Sequence, residues 1–204
     1  MGRREDNQKL KAARIVAAAK ALFSKQGHDA TTTRQIARRA RIAHGTLFLY
    51  AKTKADIVYL VFESEMAAAV QQAKASVDVG ASLTDQAMHF YGAFIEVYAR
   101  DPKVALALVK ELPWLKGESG TAMWSITYEV LGAIANGVQA QKDRGVVDVD
   151  VDPVIFAGAT FSLYSGALIA WLGGAVGDPD SDGRTAALLM LREGLRLLER
   201  GTRP

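Results

Sequence analysis

The chain of 204 residues contains no cysteine, and this absence removes several classes of protein from consideration. A disulfide framework, a thiolate metal site and a cysteine nucleophile are all excluded. The three histidines, His28, His44 and His89, lie too far apart in the sequence to indicate a metal cluster. The first eleven residues are polar and of mixed charge, so they show no secretory signal. We therefore expect a cytoplasmic protein that binds no metal and needs no cofactor.

Signals for β-strands and for common catalytic sites are also scarce. No Asn-Gly or Asp-Gly pair joins two strand-like runs, and β-branched residues rarely alternate with polar ones. The motifs H-E-x-x-H, G-x-x-x-x-G-K and G-x-S-x-G do not occur. The tract 178–183 begins like a calcium loop, but its twelfth position is Leu189 rather than Glu, so it is better interpreted as a turn. These observations favour an all-α protein that is not an enzyme.

Charge is distributed unevenly along the chain. Residues 1–55 hold 13 lysines and arginines against 3 acidic residues, a net charge of +10. Residues 56–204 hold 12 against 19, a net charge of −7. A basic first quarter joined to an acidic remainder suggests that the first quarter binds a polyanion. The alternative is an ordinary solvated basic face.

Apolar periodicity and capping signals predict about nine helices. The first runs from about Glu5 to Gln26, and Gly27 follows it as a stop signal. Thr32 and Gln35 form a capping box that opens a short second helix, and a third spans about His44–Tyr50. Further helix starts are predicted from Thr53, Ser82, Asp101 and Asp152, and the last helix ends near Arg200.

Three basic helices within about 45 residues are typical of a helix-turn-helix segment. The major groove of DNA admits one α-helix, which needs small or polar residues in its exposed first turn to approach the base edges. The residues that would open the third helix, Ala43–Thr46, are of this kind. Arginines and lysines on the preceding helices would add affinity through the phosphates.

The same region resembles the tetracycline repressor (TetR) family. The segment TTTRQIARRARIAHGTLFLYAKTKADI, residues 31–57, is similar to the DNA-binding signature of that family. The first helix agrees with the family at Arg14, Ile15, Ala18, Ala19, Leu22, Phe23 and Gly27. The resemblance implies a helix-turn-helix domain over residues 1–55 and a helical ligand-binding and dimerisation domain over residues 56–204. It implies DNA contacts from Thr33, Arg34, Ala43, His44, Gly45, Thr46, Tyr50 and Lys54.

Five positions depart from the usual pattern of the family: Arg41, Ala43, Phe48, Leu49 and Ala51. Arg41 stands where glycine is usual, which predicts either a strained turn or an added phosphate contact. Ala43 replaces a common Ser cap, at a cost of about 1 kcal/mol. Phe48 lacks the hydroxyl of the usual Tyr, and Leu49 is apolar where a polar residue is typical. Because Ala51 replaces a Phe that packs beneath the domain, we expect Phe48 or Tyr50 to fill that space.

Residues 153–177 carry no charge and are numerous enough to span a membrane. Both flanks are acidic, so neither offers a positive anchor, and a buried helix is the better interpretation. Small residues recur there every fourth position, and the final helix has a leucine seam, which together predict a four-helix interface between two subunits. The predicted dimer interface consists of Gly158, Ser162, Gly166, Ala170, Leu188, Leu191, Leu195 and Leu198.

The resemblance also implies a chamber for a small, mainly apolar molecule. Aromatic residues at helical spacing fit an ordinary core as well as a pocket. The candidate lining residues are Phe90, Phe94, Tyr98, Trp114, Met123, Trp124, Tyr128, Phe161 and Tyr164.

The sequence thus predicts a ligand-responsive transcriptional regulator, a repressor that binds a palindromic operator in double-stranded DNA as a homodimer and is released by a small molecule. No membrane partner is expected. One alternative is a helical interaction protein whose basic region binds acidic partners. The other is a helical enzyme that uses Glu96 or Glu129.

Overall fold

The structure, a computed structural model, describes the backbone of residues 3–203 and the side chains of residues 5–203. This part of the chain contains nine α-helices and no strand, which confirms the expected all-α class. A short 3-10 turn, Leu112–Trp114, follows the sixth helix. The helices are α1 (Arg3–Gln26), α2 (Thr33–Arg39), α3 (His44–Leu47), α4 (Lys54–Ser76), α5 (Leu83–Ala99), α6 (Pro102–Glu111), α7 (Gly117–Asp143), α8 (Pro153–Leu172) and α9 (Gly183–Arg200).

Side-chain caps explain where several helices begin. The Thr32 hydroxyl accepts a hydrogen bond from the N–H of Gln35 (3.3 Å), and the Gln35 side chain accepts one from the N–H of Thr32 (2.8 Å). Thr53 and Asp56 exchange the same pair of bonds, at 3.1 and 2.8 Å, before α4. These bonds satisfy N–H groups that have no partner inside a helix. The predicted starts of α2 and α4 are confirmed, as are the caps of α5, α6 and α8 by Ser82, Asp101 and Asp152.

The chain forms two compact units. The first unit consists of the described residues up to Ser64 together with Asp101–Met123. The second unit consists of Glu65–Arg100 and the described residues from Trp124 onward. Helices α4 and α7 are therefore divided between the units. The domain boundary expected between residues 55 and 56 stays a prediction.

The core of the first unit includes apolar side chains from each of the first four helices. Ile15 and Phe23 of α1, Ile36 of α2, Leu47 of α3 and Ile57 of α4 are all at most 1% exposed. Burying a side chain of this size contributes about 1.5–3 kcal/mol. On α1, Ile15, Ala19 and Phe23 are buried at helical spacing, and Leu22 is half-buried.

The second unit is held together by packing of α5, α8 and α9. Gly194 gives α8 room beside α9, since a Cβ atom there would lie 3.2 Å from the Cδ2 atom of Leu163. The carboxylate of Glu199 accepts hydrogen bonds from the backbone N–H groups of Leu83 (2.9 Å) and Thr84 (3.2 Å). This contact joins the end of α9 to the positive start of α5.

Helix α8 is apolar on all sides, but only one face is covered in the described chain. Phe156, Tyr164 and Trp171 are buried, whereas Ile155 and Ile169 are 72% and 59% exposed. By length and composition this helix could also cross a membrane, a test that core helices of soluble proteins pass as well. One side of α8 is covered by the core of the second unit, as expected, and the opposite side presents an apolar surface.

Candidate nucleic-acid interface

The first unit contains a helix-turn-helix segment in which residues 40–43 join α2 to α3. Ile36 and Leu47 are both 0% exposed, so each helix is anchored by a side chain shielded from water. Because α2 has seven residues and α3 only four, these two anchors decide which faces are left at the surface. The exposed faces carry Arg34 on α2 and Gly45 on α3.

The turn ends α2 in a Schellman motif, with an arginine at its left-handed position. The N–H of Ile42 donates to the carbonyl of Ala37 (3.1 Å), and the N–H of Arg41 donates to the carbonyl of Arg38 (3.1 Å). This pair of bonds defines the motif, which favours glycine at the position of Arg41. Arg41 has a φ of 55°, the one positive φ outside glycine in residues 3–203. The left-handed turn implied by the usual glycine is therefore present, with a side chain on it.

Helix α3 is shorter than expected. The sequence predicts a helix over residues 44–50, but the α-helical part ends at Leu47. The N–H groups of Leu49 and Tyr50 donate to the carbonyls three residues earlier, at 3.2 and 2.9 Å, so the chain tightens into a turn. The N-cap Ala43 makes no side-chain bond to the helix, as the missing Ser predicts. One turn with an open cap leaves backbone N–H groups at the exposed start of α3.

Thr33 and His44 are brought together across the turn. A hydrogen bond of 3.0 Å joins the Thr33 hydroxyl to Nε2 of His44. The His44 ring also meets the Phe48 ring edge-on, with centroids 5.0 Å apart. These contacts link the first residue of α2 to the first residue of α3, and both side chains are half-buried. Thr46 is half-buried as well, whereas Ala43 and Gly45 are exposed.

Lys54 is engaged inside the first unit. Its Nζ donates to the backbone carbonyls of His28 (3.0 Å) and Thr31 (3.3 Å), and it ties the α1–α2 connection to the start of α4. The structure thus gives Lys54 two protein partners, and its expected phosphate contact stays a prediction.

Tyr50 lies beside the first turns of α1, where it lines a surface depression with Lys9 and Ala12. Ala51 is buried, and Phe48 is 41% exposed. Of the two residues expected to fill the space of the missing Phe, Tyr50 is half-buried and Phe48 is exposed, and the expectation stays a prediction. Leu49 is 82% exposed.

The exposed arginines give the segment a positive surface. The side chains of Arg34, Arg38, Arg39 and Arg41 are exposed, and none forms an ion pair within residues 5–203. Uncompensated guanidinium groups attract anions and carry donors that match phosphate oxygens. The geometry therefore supports binding of a polyanion at this surface.

Five of the predicted ligand-lining residues gather in the second unit. Phe90, Phe94, Tyr98 and Tyr164 are buried, and Phe161 is half-buried. The rings of Phe94 and Phe161 lie 6.2 and 6.0 Å from that of Tyr164.

The tyrosine cluster, Tyr91, Tyr98 and Tyr164, adds polar groups to this apolar interior. Tyr91 stacks on Tyr164 with centroids 4.5 Å apart, and a hydrogen bond of 2.9 Å joins its hydroxyl to that of Thr160. Burial raises the pKa of Tyr98 to about 12, and burial together with Tyr98 and Tyr91 raises the pKa of Tyr164 well above its usual value. The sequence interpretation missed Tyr91, although the spacing of 91, 94 and 98 along one helix face could have found it.

The other candidate lining residues do not belong to this interior. Trp124 and Tyr128 stack on each other at the surface of α7, 41% and 64% exposed. Trp114, which is 74% exposed, and Met123 belong to the first unit. Their predicted role in lining a chamber stays a prediction.

The predicted dimer residues also divide into two groups. Ser162 and Gly166 are exposed on α8, and Gly158 and Ala170 are half-exposed beside them. Leu191 and Leu195 are each 1% exposed and pack inside the second unit, so they offer no surface to a partner. A leucine seam that faces its own unit has the same periodicity as one that faces a partner. The sequence pattern therefore could not show that Leu191 and Leu195 belong to the core rather than to a dimer interface. Leu188 and Leu198 are half-buried.

The geometry defines an all-α protein with a helix-turn-helix segment in its first unit. Residues 15–59 match the model of the bacterial regulatory proteins of the tetR family. The HTH-type transcriptional regulator HbdR of Aromatoleum sp. (strain CIB) is 42% identical over 50 residues, which are 24% of this chain and 22% of that protein. The match thus spans about a fifth of the curated relative.

Two solved structures share the fold over nearly the whole chain. The Thermus thermophilus FadR, a TetR family transcriptional repressor in complex with lauroyl-CoA, has a TM-score of 0.68 and 22% identity, with 92% of both chains covered. The Bacillus subtilis FadR in complex with stearoyl-CoA has a TM-score of 0.68 and 19% identity, with 94% of this chain and 99% of that chain covered. The first unit thus carries a segment that is similar to the DNA-binding segment of tetR family regulators, and the chain shares its fold with these two structures.

Proposed function

We propose that this protein is a DNA-binding transcriptional regulator, and that it represses by occupying an operator. The observation that carries the proposal is the start of α3, where Ala43 and Gly45 are exposed and His44 and Thr46 are half-buried, beside a group of arginines without acidic partners in residues 5–203. A short helix with a small first turn can approach base edges in the major groove. The surrounding cations supply affinity by releasing counterions from the phosphates.

Within this surface, we assign base contacts to the first turn of α3. His44 and Thr46 have side chains that can exchange hydrogen bonds with base edges, and Gly45 lets the backbone come close. Since Thr33 holds the His44 ring by its Nε2 atom, the orientation of the ring is fixed before DNA arrives. Arg34 would contact a phosphate or an adjacent base.

We further propose a homodimer that binds a roughly palindromic operator. The exposed small residues Ser162 and Gly166 allow close approach of a second α8, and Ile155 and Ile169 add exposed apolar area on the same helix. Burial of such a face favours association. Two helix-turn-helix segments placed about 34–36 Å apart would reach successive major grooves on one side of the duplex.

The effector is proposed to be a mainly apolar molecule bound in the second unit. The buried rings around Tyr164 provide apolar contact, and the tyrosine cluster provides a few polar anchors. Two fold neighbours hold lauroyl-CoA and stearoyl-CoA, so long-chain acyl-CoA thioesters are the first compounds to test. Since α4 contributes to both units, a ligand that favours one arrangement of this helix would change DNA affinity. Such a regulator would act in the cytoplasm.

DNA binding is tested by selecting bound duplexes from a random pool and then measuring affinity by fluorescence anisotropy. We expect the wild type to enrich a palindromic sequence, with an affinity that falls steeply as salt rises. The double variant H44A/T46A is expected to lose sequence preference while keeping non-specific binding. Enrichment of no sequence, or no binding at low salt, would refute the proposal.

A further inference from the structure

A surface groove lies between α1 and the end of α2, and its walls are basic. It has a volume of about 450 Å³. Three arginines and three alanines line it, and no carboxylate is among its lining residues. These residues are Arg14, Ala17, Ala18, Arg39, Ala40 and Arg41.

The three guanidinium groups are unequally constrained. Nη2 of Arg14 donates to the backbone carbonyl of Arg41 at 2.9 Å, and this bond fixes Arg14 at the wall of the groove. A guanidinium has five N–H donors, so Arg14 keeps others for a ligand. Arg39 and Arg41 are exposed and form no ion pair within residues 5–203. Like charges held around one groove repel each other, and an anion between them removes that repulsion.

The backbone of Arg41 adds an independent observation. The Schellman motifs that end α7 and α8 have the same pair of backbone bonds, and their left-handed positions hold Gly145 and Gly174. Only the motif at the end of α2 carries a side chain there. A left-handed residue other than glycine is conformationally costly, and such outliers gather at functional sites. The strained position presents a cation at the edge of the groove.

We propose that the groove formed by Arg14, Arg39 and Arg41 binds a phosphate group. Arginine binds phosphate oxygens through paired N–H donors, and the alanine floor leaves space for the tetrahedral group. Arg41 lies two residues before the N-cap of α3. We therefore assign the phosphate to the DNA backbone, outside the base contacts, an assignment that rests on the proposed function. A phosphorylated small molecule is the other source of the same chemistry.

The DNA assignment is tested by the salt dependence of affinity in R41G, R41K and R39A, with R200A as a control. Arg200 is an exposed cation at the end of α9, in the second unit. The slope of log affinity against log salt is expected to fall by about 0.9 per subunit in R41G and R39A. R41K keeps the charge and should keep the slope, and R200A should match the wild type. R41G removes the cation and also relieves the backbone strain at residue 41, so this variant is expected to fold. A smaller salt slope in R41G can therefore be attributed to the lost cation.

A scan with single methylphosphonate substitutions locates the contact. The wild type is expected to lose affinity at one phosphate of each half-site, whereas R41G, which keeps Arg14 and Arg39 but lacks the third cation, should lose less at that position. The ratio of operator to non-specific affinity should be the same in both proteins. A contact to a base, by contrast, would change that ratio.

The second arm uses inorganic phosphate without DNA, followed through the amide NMR shifts of Ala17, Ala40 and Arg41. Saturable shifts that weaken in R41G, together with an unchanged DNA slope, would assign the groove to a phosphorylated small molecule and overturn the DNA assignment. An unchanged slope and no phosphate-dependent shift would overturn the site itself. A wild type that binds no DNA would refute the proposed function, and the phosphate arm would still decide the groove.

Discussion

Replacing Arg41 by glycine should make the protein more stable, although it removes a residue that we assign to phosphate binding. Arg41 occupies the left-handed position of a Schellman motif with a φ of 55°. Its N–H and carbonyl bonds, including the one from Arg14, involve only backbone atoms of residue 41. Glycine can therefore keep every one of them while it relieves the strain.

The magnitude follows from two opposing terms. A left-handed residue with a Cβ atom costs about 1–2 kcal/mol relative to the right-handed region. In the opposite direction, glycine lowers the free energy of unfolding by about 0.4–1 kcal/mol, because it increases the conformational entropy of the unfolded chain. The expected net gain for R41G is about 0.5–1 kcal/mol. R41A keeps the strained backbone and loses the side chain, so the difference between R41G and R41A isolates the backbone effect.

The assay is urea unfolding followed by circular dichroism, with amide hydrogen exchange in α2 to localise the change. The midpoint should rise in R41G at an unchanged slope with urea, since a changed slope indicates an altered unfolded state. G145A is the matched opposite, because its Cβ would meet no atom within 4 Å and only its φ of 71° opposes the substitution. It should lose about as much stability as R41G gains. If R41G were no more stable than R41A, the reasoning from backbone strain would be wrong.

Three further changes test the interface and its support. G45A should fold normally, since a Cβ atom there meets no atom within 4 Å. We expect about a tenfold loss of operator affinity in G45A, because the added methyl group holds the backbone away from DNA. The control G132A, also in a helix with an open Cβ position, should bind like the wild type, and equal affinities of the two variants would contradict a close approach at Gly45. A43S should stabilise the first unit by about 0.5–1 kcal/mol by supplying the missing cap of α3, and an unchanged urea midpoint would show that the cap is not limiting. Burial raises the pKa of Asp56, but hydrogen bonds from Ser119, Thr53 and the N–H of Lys52 outweigh it and hold that pKa below its usual value of 3.8. The contribution of Asp56 to the free energy of unfolding should therefore be present above pH 4 and fall on acidification through the lowered pKa. D56N should lack this part of the pH dependence between about pH 2 and pH 5. A stability profile of D56N identical to that of the wild type would refute the assignment.

Several local features could be predicted from the sequence because each depends on residues close along the chain. The Thr32 and Thr53 capping boxes involve partners three residues away, and their geometry is the same wherever a helix begins. The buried positions Ile36 and Ala37 follow from the helical period. The left-handed turn at Arg41 follows from the family pattern, in which glycine is usual. Local chemistry of this kind identified the helix-turn-helix segment and its position.

Contacts between distant segments could not be predicted in this way. Lys54 looks like a free cation at a helix start, but the carbonyls of His28 and Thr31 converge on it only after α1 and α2 have folded. The seam containing Leu191 and Leu195 has the period of an interface, and its direction is set by which face of α9 packs on α5 and α8. Similarly, Arg14 and Arg41 are 27 residues apart in the sequence and share a groove only because α1 passes the end of α2.

The sequence by itself therefore determined that the chain is helical, where most helices begin and which segment carries the basic surface. The tertiary structure decided that α3 is a single turn, that half of the leucine seam is core, and that three arginines surround one groove. The physical reason is the range of the interactions. Caps and periodicity act within one or two helical turns, whereas burial and the convergence of charges depend on the packing of helices that lie far apart along the chain.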